Sequence, residues 1–345
     1  MRGAEAGQDD AGRRRMHVGL HFRLASASFR DWQSLYPRYV EQAEAADAYG
    51  FECITVAEHH FQEDGYIPSP YIVLGGFATR TSRVRLAAGV RPLPMIHPVR
   101  AAEDIAVLDN LSGGRAIAGG FGLGGRPREY AGFGVAFSER RARYEESLEL
   151  VDRLLSEETV VHRGRFYEID GLTVTPRPVQ KPRPPLWLAG SADAAVRRAA
   201  RIADGWMCKP GESKTSLLRL IEIYRNELHE VKRNAEAPGP IIRRDCWVAE
   251  STEQAWREAL PALHFHYTRD YSFIPRHASL DDLRDFGRDR FLIGDPEQLL
   301  RDIRWYHDEL GASRLVLALD HPGLSPGAVL AAIRTIGEVV LPRLH

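Results

Sequence analysis

Short apolar runs alternate along the chain with longer segments whose apolar residues recur at helical spacing. Strands buried on both faces of a parallel sheet are continuously apolar. Eight such runs predict strands at 17–22, 53–57, 84–88, 115–119, 186–189, 205–208, 241–249 and 315–319. The intervening segments predict helices at 36–49, 70–80, 98–111, 139–156, 213–234, 252–263, 296–310 and 325–341, and one more from Ser191. Eight such units predict an α/β fold, a (β/α)8 TIM barrel; an open doubly wound sheet is the alternative.

Three segments depart from this alternation. Residues 160–175 read as two extended pieces that turn near Asp170-Gly171, which predicts a hairpin insertion. Residues 264–290 are aromatic, charged and non-periodic, as is typical of a functional loop, and we interpret them as a lid. Residues 1–15 are polar and lack the apolar core of a signal peptide, so we expect a disordered tail before a single domain at 16–345.

Composition excludes several classes of protein. The net charge of −1 gives no field that would attract nucleic acid or an anionic membrane surface. No apolar run approaches the roughly 20 residues that span a bilayer. The three cysteines, Cys53, Cys208 and Cys246, are too far apart for a disulfide framework or a clustered-cysteine zinc site. We therefore expect a cytoplasmic protein whose partners are small molecules.

The most distinctive polar cluster is Glu58-His59-His60-Phe61, directly after the second predicted strand. Barrel enzymes carry their chemistry at the carboxyl ends of the strands. An imidazole titrates near neutrality and can move protons there. One of the two histidines is therefore a candidate catalytic residue, with His59 favoured. The alternative is a packed histidine hydrogen-bonded to Glu58.

Glycines mark two further candidate sites. Gly190-Ser191 opens a helix, where backbone N–H groups and the helix dipole favour an anion; the alternative is an ordinary capping serine. Gly205-Trp206 lies one unit later, where barrels often hold phosphate, although Trp206 also fits a simple core role. The run 119–125 lacks the lysine and hydroxyl residue of a P-loop and follows the fourth strand, so it favours close approach of a ligand over nucleotide binding.

Together these motifs resemble the bacterial luciferase-like family of flavin-dependent monooxygenases. The similar stretches, in the family's order from about residue 16 to the carboxyl terminus, are Glu58-His59-His60-Phe61, Ser69-Pro70-Tyr71, 94–100 with 102–104, Ser112-Gly113-Gly114-Arg115, Ala189-Gly190-Ser191 and Ala203-Asp204-Gly205-Trp206.

The resemblance implies a barrel that binds reduced FMN, delivered by a partner flavin reductase, and uses O2 through a flavin hydroperoxide at carbon 4a. His59 matches the family's acid–base histidine, and a non-prolyl cis peptide supporting the flavin ring is expected at Gly89-Val90. The expected cofactor-binding residues are Glu58, Gly89, Val90, Phe121, Gly122, Gly190, Ser191, Gly205 and Trp206.

The chain departs from luciferase itself at two positions. Phe121 stands at the reactive-cysteine position and Gly122 at the phosphate-binding arginine. Phosphate charge must then come from elsewhere, and Arg126, Arg140 and Arg143 are candidates.

Two alternatives within the superfamily remain: a deazaflavin-dependent oxidoreductase and a non-catalytic flavin-binding protein. The resemblance also implies a homodimer, with helices two and three as the candidate face. Metal binding by His264 and His266 is discounted for want of a convergent carboxylate. The expected substrate is a small hydrophobic organic molecule in a pocket lined by Phe22, Phe61, Phe121, Trp206 and the lid.

Overall fold

The computed structural model describes residues 16–25, 32–233, 239–269 and 274–344. The predicted tail at 1–15, the end of the helix predicted to 234, and Tyr271 and Phe273 of the predicted lid lie outside these residues. Eight parallel strands with helices between them close into a barrel, which confirms the predicted (β/α)8 fold. No described helix has the length and apolar character needed to cross a bilayer.

The described strands and helices follow one another regularly. The strands are β1 His17–Phe22, β2 Cys53–Val56, β3 Arg85–Pro92, β4 Ala118–Gly122, β5 Val160–Arg163, β6 Glu168–Leu172, β7 Leu186–Ala189, β8 Gly205–Met207, β9 Ile241–Val248, β10 Leu292–Gly294 and β11 Arg314–Ala318. The α-helices are α1 Trp32–Ala48, α2 Pro70–Arg80, α3 Pro98–Leu111, α4 Pro127–Gly132, α5 Arg140–Ser156, α6 Asp193–Ile202, α7 Lys214–Glu230, α8 Thr252–Arg269, α9 Leu280–Gly287, α10 Pro296–Asp308 and α11 Pro326–Thr335.

The barrel runs β1-β2-β3-β4-β7-β8-β9-β11 and returns to β1. Its last two closures pair β8 with β9 at Met207 and Ile241, and β11 with β1 from Arg314 and His17 onward. The short strand β10, which the sequence did not predict, pairs with the last three residues of β9. The carboxyl ends of β1, β2, β3, β9 and β11 therefore meet at one rim.

The inward side chains are apolar low in the barrel and polar near the rim. The apolar layer contains Cys53, Ala87, Ile117, Trp187, Met207, Ile241 and Val316. At the amino end of β11, Arg314 forms a bidentate ion pair with Glu52 at 2.6 and 2.7 Å. A second, larger core fills the space between strands and helices. The floor is thus a packed structure with an ion pair at its lower edge.

Both predicted insertions differ in detail from expectation. The hairpin at 160–175 is present as β5 and β6, but it turns at Gly164, whose N–H donates to the Tyr167 carbonyl at 3.0 Å, while Asp170 and Gly171 lie within β6. The segment 264–290 is not irregular throughout, because α8 continues to Arg269 and α9 begins at a capping box formed by Ser279 and Asp282. The missed signal for α9 was that box.

The glycine-rich segment 119–125 is strand up to Gly122 and loop only beyond it. β4 begins at Ala118, three residues later than predicted, and runs through Gly122. A Cβ on Gly120 would lie 3.3 Å from the Gly89 Cα, so these glycines allow β3 and β4 to approach closely.

Candidate active site

His59 stands at the rim, three residues after β2 ends. Its side chain is 27% exposed, and its ring lies edge-on to Tyr66 at 4.8 Å. His59 Nδ1 lies 3.0 Å from Oε1 of Glu129, a residue in the first turn of α4. Among the described residues His59 Nε2 makes no hydrogen bond, so that nitrogen is available to a ligand at the rim.

Glu129, the hydrogen-bond partner of His59, was not predicted from the sequence. Its carboxylate is 1% exposed and also accepts the backbone N–H of His60 at 3.0 Å. Burial raises the pKa of Glu129, but the hydrogen bonds from His59 and from the His60 N–H outweigh burial and hold the pKa below its usual value. The available signal was Pro127 two residues before an acidic residue, a pattern typical of a helix start.

His60 turns away from His59 into the protein. Its Nε2 donates to Oε1 of Glu58 at 3.0 Å, and the other Glu58 oxygen lies 3.4 Å from Nε of Arg91. Arg91 in turn donates to Asp104 at 2.9 Å and stacks over the Tyr71 ring. Glu58, expected among the cofactor contacts, is 2% exposed and serves as the counter-ion of this buried chain. The packed-histidine alternative therefore describes His60.

The expected non-prolyl cis peptide is present at Gly89-Val90. A Cβ on Gly89 would lie 3.2 Å from the Thr55 Cβ and 3.5 Å from the Met207 Cε, so the peptide sits over the lumen. Val90 packs against the inner apolar layer together with Ala189. A Cβ on Gly122 would lie 2.6 Å from the Val90 Cγ1, which explains glycine there. These residues form an apolar surface at the rim.

A hydrogen-bonded row of polar side chains, also missed from the sequence, lies inside the barrel. Nη1 of Arg243 donates to Nε2 of His21 at 2.9 Å, and Nδ1 of His21 lies 2.8 Å from Oγ1 of Thr55. A guanidinium only donates, so His21 carries its proton on Nδ1 and is neutral. Burial and the charges of Arg243 and Arg23 hold the pKa of His21 well below its usual value. His21 is therefore not an acid–base candidate.

A buried cluster of charges surrounds Arg23, just after β1. Its guanidinium contacts Asp245, and its backbone N–H donates to Asp320 at 2.7 Å. Burial raises the pKa of Asp245, but Arg23 foremost among several positive charges outweighs burial and holds the pKa well below its usual range. Burial lowers the pKa of His321 to about 3, with Arg23 adding to the effect. By contrast, burial dominates at Asp320 and raises its pKa.

The N-terminus of α6 lacks a side-chain cap. Its N-cap residue is Ala192, not Ser191 as predicted, and no side chain bonds the first-turn N–H groups. Ser191 Oγ instead accepts the backbone N–H of Lys209 at 3.0 Å, which brings the exposed Lys209 beside this helix end. Gly190 has a φ of +149°. Uncapped N–H groups, a hydroxyl and a lysine together can hold a phosphate.

Several predicted pocket residues have packing roles in the structure. Trp206 is fully buried, stacks near Tyr224 of α7, and donates to the Gly190 carbonyl at 2.7 Å. A Cβ on Gly205 would lie 2.7 Å from the Trp187 ring, so this glycine makes room for a core side chain. The side chains of Phe22 and Phe121 belong to the outer core; Phe22 packs against Tyr39 and Phe77.

The three arginines predicted as phosphate ligands lie at the start of α5 and near Glu129. Arg140 stacks on Phe137, and Arg143 pairs with Glu139 at 3.2 Å, both at the start of α5. Arg126 is close enough to Glu129 for its charge to lower the Glu129 pKa. In the predicted lid, His264 bonds the Ala278 carbonyl at 2.6 Å while His266 is buried. Within the described ranges no cluster of side chains is arranged to hold a metal.

Comparison with known proteins agrees with the geometry. The family model for luciferase-like monooxygenases matches residues 17–314. The chain belongs to this family. It is 32% identical over 339 residues to the protein y4wF of Sinorhizobium fredii, covering 94% of this chain and 97% of that protein.

Solved structures carry the same fold. The monooxygenase RslO1 from Streptomyces bottropensis matches 96% of this chain and 100% of its own, with 27% identity and a TM-score of 0.85. The oxygenating constituent of 3,6-diketocamphane monooxygenase from Pseudomonas putida, in complex with FMN, matches 95% and 99%, with 19% identity and a TM-score of 0.77. An F420-dependent secondary alcohol dehydrogenase matches 96% and 99%, with 17% identity and a TM-score of 0.76.

Proposed function

We propose that this protein is a monooxygenase that uses reduced FMN and O2 to oxygenate a small hydrophobic organic molecule. In the balanced reaction one oxygen atom enters the product and the other leaves as water, with two electrons from the reduced flavin. The observation that carries the proposal is a partly exposed histidine after β2, at the same rim as an apolar surface near the end of the neighbouring strand β3. The likeness to RslO1 over 96% of the chain supports it.

The rim has residues that would contact both the ring and the phosphate of a flavin. Gly89 and Val90 supply a flat backbone and an apolar side chain for the ring, and Gly122 leaves room beside Val90. Gly190 and Ser191, with the uncapped α6 N-terminus and Lys209, supply phosphate donors. We keep these residues as the proposed cofactor contacts. Glu58, Phe121 and Trp206 have buried partners inside the protein and Gly205 makes room for the Trp187 ring, so these four residues are not among the proposed contacts.

His59 is the proposed catalytic residue. When bound, the reduced flavin would supply the electrons that activate O2. His59 Nε2 would hold a proton at the rim, deliver it to a reacting oxygen and take it back. The rings of Phe61 and Phe133, 49% and 43% exposed, pack against the next residue, His60, and would favour an apolar substrate.

A homodimer is part of the proposal. On α2 and α3 the side chains of Ile72, Val107 and Leu111 are 78%, 50% and 49% exposed. Beside Ile72, a 400 Å³ groove between α1 and α2 is lined mainly by apolar residues, including Tyr36, Val40 and Val73. A second copy of this chain would cover this surface.

The experiment compares the two cofactor classes directly. Anaerobic titrations with reduced FMN and with reduced F420 measure binding by fluorescence. A flavin reductase, NADH, FMN and ¹⁸O2 are then supplied with a panel of apolar ketones, aldehydes and aromatic compounds. We expect reduced FMN to bind and ¹⁸O to enter one product, and His59→Gln to lower turnover about 100-fold or more.

Binding of F420 without FMN, and hydride transfer without ¹⁸O incorporation, would favour the deazaflavin alternative, which the F420-dependent structural neighbour supports. Binding of neither cofactor would refute both proposals. Flavin binding without any turnover would favour the non-catalytic alternative.

A further inference from the structure

The two consecutive histidines have separate carboxylates. His59 pairs with Glu129 from α4, the helix after β4, whereas His60 pairs with Glu58 from its own strand end. Both contacts are 3.0 Å. Adjacent residues with the same side chain are therefore held in different environments, one at the rim and one in the interior.

Glu129 binds both the ring of His59 and the backbone of the next residue, His60. The same oxygen, Oε1, accepts from His59 Nδ1 and from the backbone N–H of His60. The hydrogen bonds hold the pKa of Glu129 below its usual value, so its carboxylate is ionised at neutral pH. An ionised carboxylate only accepts hydrogen bonds, and Nδ1 of His59 must therefore carry a proton. The exchangeable position of the imidazole is then Nε2.

Packing holds α4 against the β2 end. A Cβ on Gly132 would lie 2.2 Å from the Phe61 ring, so the last residue of α4 lies directly against that ring. The ring of Phe133, just beyond α4, lies edge-on to His60 at 4.6 Å. Glu129 therefore reaches His59 from a helix that is itself packed on the neighbouring residues of the histidine loop.

We propose that Glu129 is the positioning residue of the site: it fixes the tautomer and orientation of His59 and stabilises the imidazolium formed when Nε2 takes up a proton. The inference rests on the proposed acid–base role of His59. Glu129 remains ionised throughout; the proton moves only between Nε2 and the ligand. This is the part that a buried carboxylate plays behind a catalytic histidine in other enzymes.

The test uses Glu129→Gln, which keeps the shape and an acceptor oxygen but removes the charge. Its matched control is Glu146→Gln. Glu146 also accepts from a histidine, His162, at 3.1 Å and from backbone N–H groups, but it lies on α5 and its partners belong to the β5–β6 hairpin. The NMR spectrum of protein with ¹³C- and ¹⁵N-labelled histidine is recorded at alkaline pH without cofactor, and the His59 signal is assigned from its loss in His59→Gln.

We expect neutral His59 to carry its proton on Nδ1 in the wild type and to lose that preference in Glu129→Gln, because an amide can present an N–H as well as an oxygen to Nδ1. Turnover should fall about 10- to 100-fold through kcat, with the KM for FMN within about twofold. Glu146→Gln should leave the His59 tautomer and turnover unchanged. Glu129→Gln should have no further effect in the His59→Gln background.

An unchanged His59 tautomer population in Glu129→Gln would overturn the inference. So would a wild-type ¹⁵N spectrum in which Nδ1 of neutral His59 lacks a proton, and that measurement needs no variant. The failure of the proposed function is distinguishable: His59→Gln would then keep full turnover, while the ¹⁵N spectrum would still report whether Glu129 positions His59.

Discussion

Replacing Asp245 with asparagine should destabilise the barrel strongly. Asp245 is 1% exposed and contacts the guanidinium of Arg23, which is fully buried. Its other oxygen accepts the Tyr267 hydroxyl at 2.6 Å. Asparagine keeps the shape of Asp245 but leaves the Arg23 charge without its nearest counter-ion.

The expected loss is about 3–5 kcal/mol, the usual cost of removing one partner of a buried ion pair. A chain of 345 residues unfolds with an entropy near 0.7 kcal/mol per kelvin, so the melting temperature should fall by about 4–7 °C. Differential scanning calorimetry at pH 7 measures this shift.

Asp320→Asn is the matched control, because Asp320 is also buried and lies beside the same arginine, but burial raises its pKa. A site that already disfavours the charged form should lose less on neutralisation, and we expect a smaller fall in melting temperature. The double variant Arg23→Met with Asp245→Leu should recover much of the lost stability. A melting temperature for Asp245→Asn within 1 °C of the wild type would refute the reasoning.

Two further predictions concern pH and assembly. Folding lowers the pKa of Asp245, so the stability that its charge contributes is complete above the unfolded pKa near 3.9 and is lost gradually as the pH falls toward the folded pKa. The difference in melting temperature between wild type and Asp245→Asn should therefore become smaller below about pH 4 without vanishing by pH 2. Constant differences from pH 7 to pH 2 would contradict this linkage. Ile72→Asp should convert the proposed dimer to monomer in sedimentation velocity, because it places a charge in the exposed apolar face, whereas Leu218→Asp, at a residue of α7 that is also 47% exposed, should not. A monomeric wild type would remove this part of the proposal.

The pattern of apolar runs was sufficient to predict the fold because it depends on local spacing. The helices at 70–80 and 98–111 have the predicted bounds, and each begins with proline. Gly50, the predicted stop of the first helix, follows α1 with a left-handed backbone. Where glycine replaces the apolar pattern, as in β4, the prediction shifted by three residues. The glycines of β4 allow close contact with the neighbouring strand β3, and the pattern of apolar residues along the sequence does not report such a contact.

The candidate site was predicted only where a short motif carries its own signal. His59, Gly89-Val90 and Gly190-Ser191 could be selected in this way, and the cis peptide was expected from the resemblance alone. The pairing of His59 with Glu129 spans 70 positions in the chain, and that of His21 with Arg243 spans 222. No periodicity links such residues, so neither pair was predicted.

By itself, the sequence determined the family, the order of strands and helices, and the strand end that carries the histidines. Only the tertiary structure decided which histidine faces the rim. His59 pairs with Glu129 and His60 with Glu58, and the helix that carries Glu129 is placed by packing against Phe61. It also decided that Trp206 and Phe22 are core residues. The physical reason is that local spacing fixes the face of an element, whereas partner choice depends on which elements meet when the barrel closes.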